Sequence, residues 1–315
     1  ERCERCGAAT AAAPAPLVLA GKFRLLERIG SGGMGIVYRG MDLALGREVA
    51  VKTLPRMSPR EARWLRKEAR AMAAVSHPNL ALIFGAESWR GVPMLVVEYL
   101  PGGTLAERIA RGPLPAEEAI ALVGALVPAL ASLHDAAILH RDIKPNNIGF
   151  AADGTPKLLD FGLARALEAA HQAEGEPLPW RSPDAAPVAA WQGSFRETAA
   201  GEGGDWAGTL LYLAPEAVNG EPPAVSWDLW ALCMVLYEAL AGRHPLAGGA
   251  PHGTLLRLSE ADVPPVRELA PEVPAPVAAF LRGALHADRR KRPASARELG
   301  ERLQALRGAL AAPVS

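Results

Sequence analysis

The sequence is short of cysteine and of aromatic residues and has no net charge, and these shortages narrow what it can be. Three scattered cysteines, Cys3, Cys6 and Cys233, in 315 residues cannot make a disulfide framework. They suit a reducing compartment, so a cytoplasmic location is expected. Lys plus Arg equals Asp plus Glu, 34 each, so the basic excess of a nucleic-acid binder is missing and no nucleic-acid partner is expected. No run of one sign reads as a membrane-surface patch, and no apolar leader core stands near the start. The longest apolar candidate, residues 227–240, falls short of the roughly 20 residues a bilayer needs and holds Asp228 and Glu238. It reads as a buried core helix, and no membrane span is expected. The chain opens on Glu1 rather than Met, which leaves open whether further domains flank it at either end.

Half of the residues are hydrophobic, enough for one large domain or two lobes with sizeable cores. Residues 1–21 read as a tail. Within it ATAAAPAP has no period and suits a flexible linker. Cys3-x-x-Cys6-Gly7 resembles half a zinc ribbon, but a closed zinc site needs four ligands. No other Cys or His precedes His77, so Zn²⁺ held at Cys3 and Cys6 within one chain is not expected.

From residue 22 to 55 the stretches KFRLLERIG, GIVYRG and REVAVKTL alternate apolar with polar residues and read as three strands, with a glycine-rich turn between the first two. A helix follows, with Ser58 as N-cap, Pro59 at its first position and Glu61 completing a capping box. Ala62, Leu65, Ala69 and Met72 share one face, and Glu68 shares it too. A carboxylate on an apolar face needs a partner. VPMLVVEYL at 92–100 reads as a buried strand, and helical spacing begins at 115. Short strands are expected around NIGF and PKLLDFG, and helices at about 226–241, 274–287 and 294–310. Strands early and helices late indicate an α+β protein, a small sheet lobe beside a larger helical lobe.

Four stretches carry chemistry. IGSGGMGIV spaces Gly30, Gly32 and Gly35 so that backbone N–H groups can approach phosphates. A strand follows it rather than a helix, which argues against a dinucleotide fold. Lys52 in VAVK stands among strand residues and has Glu68 as an available partner. HRDIKPNN, residues 140–147, supplies Asp142, Lys144 and Asn147; KLLDFG supplies Asp160. Two acids and an amide oxygen suit a hard divalent cation. A base, metal ligands and a phosphate-holding lysine are the working parts of phosphoryl transfer.

These motifs, in this order, resemble a eukaryotic-type (Hanks-type) protein kinase, most like the bacterial Ser/Thr kinases, over residues 22–307. The resemblance implies a bilobal α+β fold. An antiparallel β-sheet N-lobe with one key helix (22–100) would precede a mainly helical C-lobe (101–307) with a long activation segment (160–216) and a short tail (308–315). It implies a serine/threonine protein kinase using ATP with Mg²⁺ or Mn²⁺, with protein Ser/Thr hydroxyls as substrates and self-association for trans-autophosphorylation. The rival expectation is a pseudokinase-like scaffold that works through its long loop. By the resemblance, Gly30, Gly32 and Gly35 cover the phosphates. Lys52 pairs with Glu68 and holds them, Asp142 takes the hydroxyl proton, Lys144 steadies the γ-phosphate, and Asn147 and Asp160 hold the metal. Ile29, Val37, Ala50, Glu98 and Leu100 line the adenine site, with Val97 behind it. Glu216 pairs with Arg292, Asp228 anchors the catalytic loop, and His140 packs with Phe161. Lys144 and the Gly208-Thr209 pair mark the Ser/Thr type, with Thr209 near Asp142 and Lys144.

Three departures from the family pattern stand out. Gly149 replaces a bulky floor residue, so the floor is expected to be open or refilled by Phe150. Cys233 replaces glycine in a buried helix, as a packing change. The long loop 166–207 holds Trp180, Trp191 and Trp206 but no hydroxyl in AGEGGDWA. Thr198 and Ser194 are the candidate phosphosites, and Glu202 with Asp205 is expected to stand in partly for a phosphate.

Overall fold

The computed structural model describes residues 15–32, 35–54, 74–160, 210–248 and 251–311. Six strands form one antiparallel sheet in the order β1-β2-β3-β4-β6-β5. They are β1 (Val18–Leu19), β2 (Phe23–Gly32), β3 (Gly35–Asp42), β4 (Arg47–Thr53), β5 (Ile83–Trp89) and β6 (Val92–Glu98). The strands expected within 22–55 and 92–100 are all present. Two others lacked a clear pattern. β5, IFGAESW, does not alternate, and it is held by pairing with β6 across a turn at Arg90 and Gly91, both with positive φ. β1 draws Val18 and Leu19, from the stretch expected to be tail, into register with β2, and Leu19 is fully buried.

Strand alternation divides β4. Val49 and Val51 join Leu19, Phe23, Leu25, Met94 and Val96 in a small core. The opposite face presents Ala50 and Lys52.

The second lobe is helical: α1 (Leu105–Ile109), α2 (Ala116–Asp135), α3 (Pro215–Val218), α4 (Val225–Ala241), α5 (Pro251–Ser259), α6 (Val266–Leu269), α7 (Ala275–Ala284) and α8 (Ala296–Ala311). Among the described residues α2, not 227–240, is the helix long and apolar enough to cross a membrane. Its apolar stripe, Ile120, Val123, Leu126, Leu130 and Leu133, is buried against α4 and α8 in the main core, which accounts for its hydropathy. Helix α4 is buried nearly all round and stops at Gly242, whose φ of 70° caps it.

Between the lobes, β7 (Ile148–Phe150) and β8 (Pro156–Leu158) form a short hairpin. β8 is tied to the segment entering β5: Leu158 N–H donates to Asn79 O at 2.9 Å, and Ala81 N–H to Leu158 O at 3.0 Å. The polar loops on either side of this hairpin therefore sit where sheet meets helices.

Candidate active site

HRDIKPNN is held from behind by one buried carboxylate. Asp228, in the first turn of α4, accepts His140 N–H at 2.9 Å and Arg141 N–H at 2.8 Å, and lies 2.9 Å from His134 Nε2. Three such contacts satisfy a buried charge that would otherwise be costly. They also hold Arg141 in a left-handed conformation, φ 64°, which a non-glycine residue rarely adopts. The expected anchoring role of Asp228 thus has a geometric basis. His140 is fully buried and its pKa is lowered by that burial, against the pull of Asp228, Asp142 and Asp160. Asp142 N–H points at its Nδ1, 3.4 Å away.

This loop fixes the orientation of Asp142. Asn147 Nδ2 donates to Asp142 Oδ2 at 2.7 Å and to its backbone carbonyl at 2.8 Å. The Asn147 side chain is buried, and both donations turn its carbonyl oxygen the other way. Lys144 Nζ forms an ion pair with Asp142 Oδ1 at 3.0 Å. Asp142 is thus held by Asn147 on Oδ2 and by Lys144 on Oδ1.

Asp160 follows β8 in a left-handed conformation, φ 59°. Its Oδ2 lies 2.6 Å from Lys52 Nζ, joining the strand lysine of one lobe to the loop acid of the other. Leu159 N–H donates to Asn147 O at 2.8 Å, which sets the Asp160 loop against the catalytic loop. Lys52, Asp142, Lys144, Asn147 and Asp160 are thus brought together. An amide oxygen and a carboxylate, on loops fixed to each other, fit a hard divalent cation. Among the described residues there is no cluster of three His, Cys, Asp or Glu that would hold a metal by itself.

The upper wall comes from the sheet. Gly30 pairs with Val37 and Gly32 with Gly35 in the glycine-rich hairpin, and Val37 pairs with Lys52. Ile29 is half exposed at the mouth. Ala50, buried, pairs with Val97, and Val49 with Glu98. The floor differs from expectation. Phe150 stays in the core, with the Arg108 guanidinium stacked 3.3 Å above its ring. A Cβ at Gly149 would instead meet Leu100 Cδ1 at 2.5 Å and Leu159 Cδ1 at 3.2 Å. Leucines from the hinge and from the residue before Asp160 already fill the floor.

Glu68, Phe161, Thr209, the candidate phosphosites Thr198 and Ser194, Glu202, Asp205 and the Cys3/Cys6 pair lie outside the described residues. The Glu216–Arg292 bridge is present: Arg292 Nη1 donates to both Glu216 oxygens at 2.9 and 3.1 Å, both side chains are buried, and Ser226 Oγ adds 2.7 Å. Arg292 also caps the His286 and Ala287 carbonyls. Cys233 is buried, and burial pushes its thiol up to about 12, so it packs rather than reacts.

Two pairings escaped the sequence reading. Lys157 on β8 reaches Glu98 at 2.9 Å, while Glu98 Oε2 accepts Leu82 N–H at 3.1 Å. No local pattern predicts a contact between residues 59 positions apart. Tyr212 donates to Glu238 and meets the His244 ring edge-on. The Glu238 carboxyl is raised by burial, and the Tyr212 hydroxyl by burial and by the Glu238 charge.

Comparison with known proteins agrees with this geometry. Residues 23–302 match the protein kinase domain family. The serine/threonine-protein kinase pkn2 of Myxococcus xanthus is 34% identical over 308 residues, 95% of this chain and 34% of that protein. The serine/threonine-protein kinase PrkC of Bacillus subtilis is 32% identical over 260 residues, 81% of this chain and 36% of that protein. PknL of Mycobacterium tuberculosis, also named a serine/threonine-protein kinase, is 32% identical over 303 residues, 94% of this chain and 68% of that protein. The chain belongs to the protein kinase family, of the Hanks type found in bacteria, and spans about a third of the length of several of the curated relatives it matches.

Proposed function

We propose that the chain transfers the γ-phosphate of ATP to serine or threonine hydroxyls of proteins, its own included. The observation that carries this reading is the convergence of Lys52, Asp142, Lys144, Asn147 and Asp160 on one cleft. Asp142 takes the proton of the incoming hydroxyl as its oxygen bonds to the γ-phosphorus; the bond to the β–γ bridging oxygen breaks, and ADP leaves. Lys144, beside Asp142, is placed to draw charge off the γ-phosphate. Lys52 holds the α- and β-phosphates beneath the glycine-rich hairpin. Ile29, Val37, Ala50 and Leu100 enclose the adenine ring. Asn147 and Asp160 would hold Mg²⁺ or Mn²⁺, which neutralises phosphate charge in the transition state.

Autophosphorylation between copies would require self-association, and Thr198 and Ser194 are its proposed targets. A cytoplasmic site of action is proposed on thiol usage alone. The decisive experiment is transfer of labelled γ-phosphate from Mg-ATP to the chain and to a generic protein substrate, beside Asp142→Asn and Asp160→Asn. Label lost in both variants supports the proposal. No label above the variants, from folded protein, overturns it in favour of a scaffold acting through its long loop.

A further inference from the structure

The β3–β4 ladder runs from Asp42↔Arg47 to Val37↔Lys52 and then stops. One step further, beside the turn of the glycine-rich hairpin, the partner is a side chain. Ile36 N–H donates to Thr53 Oγ1 at 2.9 Å. Thr53 is the last residue of β4, directly after Lys52, and is 4% exposed. On the same spot Gly35, φ 138°, lies so close that a Cβ built on it would sit 1.9 Å from Thr53 O and 2.9 Å from Thr53 Oγ1. No side chain fits there, so Gly35 is demanded by Thr53 as much as by any phosphate.

We propose that Thr53 is a positioning residue for nucleotide binding. Its hydroxyl latches the returning limb of the glycine-rich hairpin onto the strand that carries Lys52, so that hairpin and lysine address the same phosphates. The inference rests on the phosphotransfer reading for its consequence, but the latch itself is a property of the chain without ligand.

A hydroxyl at this position is the testable element. Three arguments converge on it. The bond takes the place of a ladder bond one step past the last β3–β4 pair. Its acceptor Thr53 is buried and the bond is partly so, so losing it takes the partner from a partly buried N–H. It acts at residue 36, one position from Val37, which pairs with Lys52. Valine keeps the shape of threonine and removes only the hydroxyl; serine keeps the hydroxyl and removes a methyl.

The experiment compares Thr53→Val and Thr53→Ser with the parent chain by amide hydrogen exchange at Ile36, by binding of Mg-ADP, and by KM for ATP against kcat. Thr53→Val is expected to speed exchange at Ile36 at least tenfold and to weaken Mg-ADP binding and raise KM for ATP five- to twentyfold. It should leave kcat within twofold, and Thr53→Ser should stay near the parent in all of these. Thr53→Ala, which adds no bulk, carries the same readouts where valine unfolds the sheet. Unchanged exchange in Thr53→Val, a serine variant as impaired as the valine one, or KM and Mg-ADP binding both within twofold of the parent would each overturn the proposal. If the parent chain transfers no phosphate, the phosphotransfer reading fails, while exchange and Mg-ADP binding still decide the latch.

Discussion

The two walls of the cleft are built differently. The lower wall is set from within the helical lobe. Asp228 holds two amides of the catalytic loop, Asn147 holds Asp142 twice, and Leu159 N–H binds the two loops together. The upper wall is a hairpin with Ile29 half in solvent and, beside its turn, a side-chain bond from Ile36 N–H to Thr53. The lower wall is rigid because several buried partners overdetermine its polar groups; among the described residues, the glycine-rich hairpin of the upper wall is more exposed. Chemistry is therefore expected to depend on the lower wall, and affinity on the upper.

That contrast can be broken most forcefully at Asp142. Asp142→Asn keeps the shape but removes the proton acceptor, and kcat should fall on the order of a thousandfold with the melting temperature unchanged. A calorimetric scan beside the rate assay checks it, and a variant within tenfold of the parent would remove Asp142 from the reaction. Next comes the lower wall's foundation. Arg292→Ala strands the buried Glu216 carboxylate and should cost about 3–5 kcal/mol in a urea melt; a loss under 1 kcal/mol would mean that water replaces the arginine.

The buried histidines give the lobe a pH signature. Burial holds His244 down to about 4. Below pH 6.5 the unfolded chain binds a proton that the native chain refuses until about pH 4, so stability falls as pH drops through that window. The loss is at most about 3 kcal/mol. His140, lowered for the same reason, acts in the same direction. Urea melts at pH 7 and pH 5 measure the fall, and His244→Gln should reduce it; an unchanged fall would assign it elsewhere.

The smallest effect belongs to the joint between the walls. Lys157→Met removes a partly buried partner of Glu98, and KM for ATP should rise about threefold with kcat nearly constant. A fall in kcat with no change in KM would show that this pair serves the lower wall instead.

The lower wall was also the more legible one in the sequence. HRDIKPNN, KLLDFG and SWDLWAL carry their chemistry in contiguous residues, and the carboxylates they need are visible as polar residues interrupting apolar runs. The sheet was legible where it alternates and was missed at β1 and β5, where pairing overrides a weak pattern. Gly149 was recognised as a gap, but its filling by Leu100 and Leu159 depends on side-chain direction across the cleft, which no spacing encodes. Thr53, Lys157 and Tyr212 were passed over for a related reason: each acts through a partner that only the folded chain brings near.

Asp228 has a consequence in time. It stands 88 positions after His140, whose amide it binds. On the ribosome the loop bearing Asp142 emerges long before α4, and until that helix is made the His140 and Arg141 amides lack the carboxylate that accepts them. The growing chain therefore carries the residues of the reaction without their arrangement. Competence arrives late and all at once, when one carboxylate near the C-terminal third docks, and a nascent chain halted before α4 should consume no ATP.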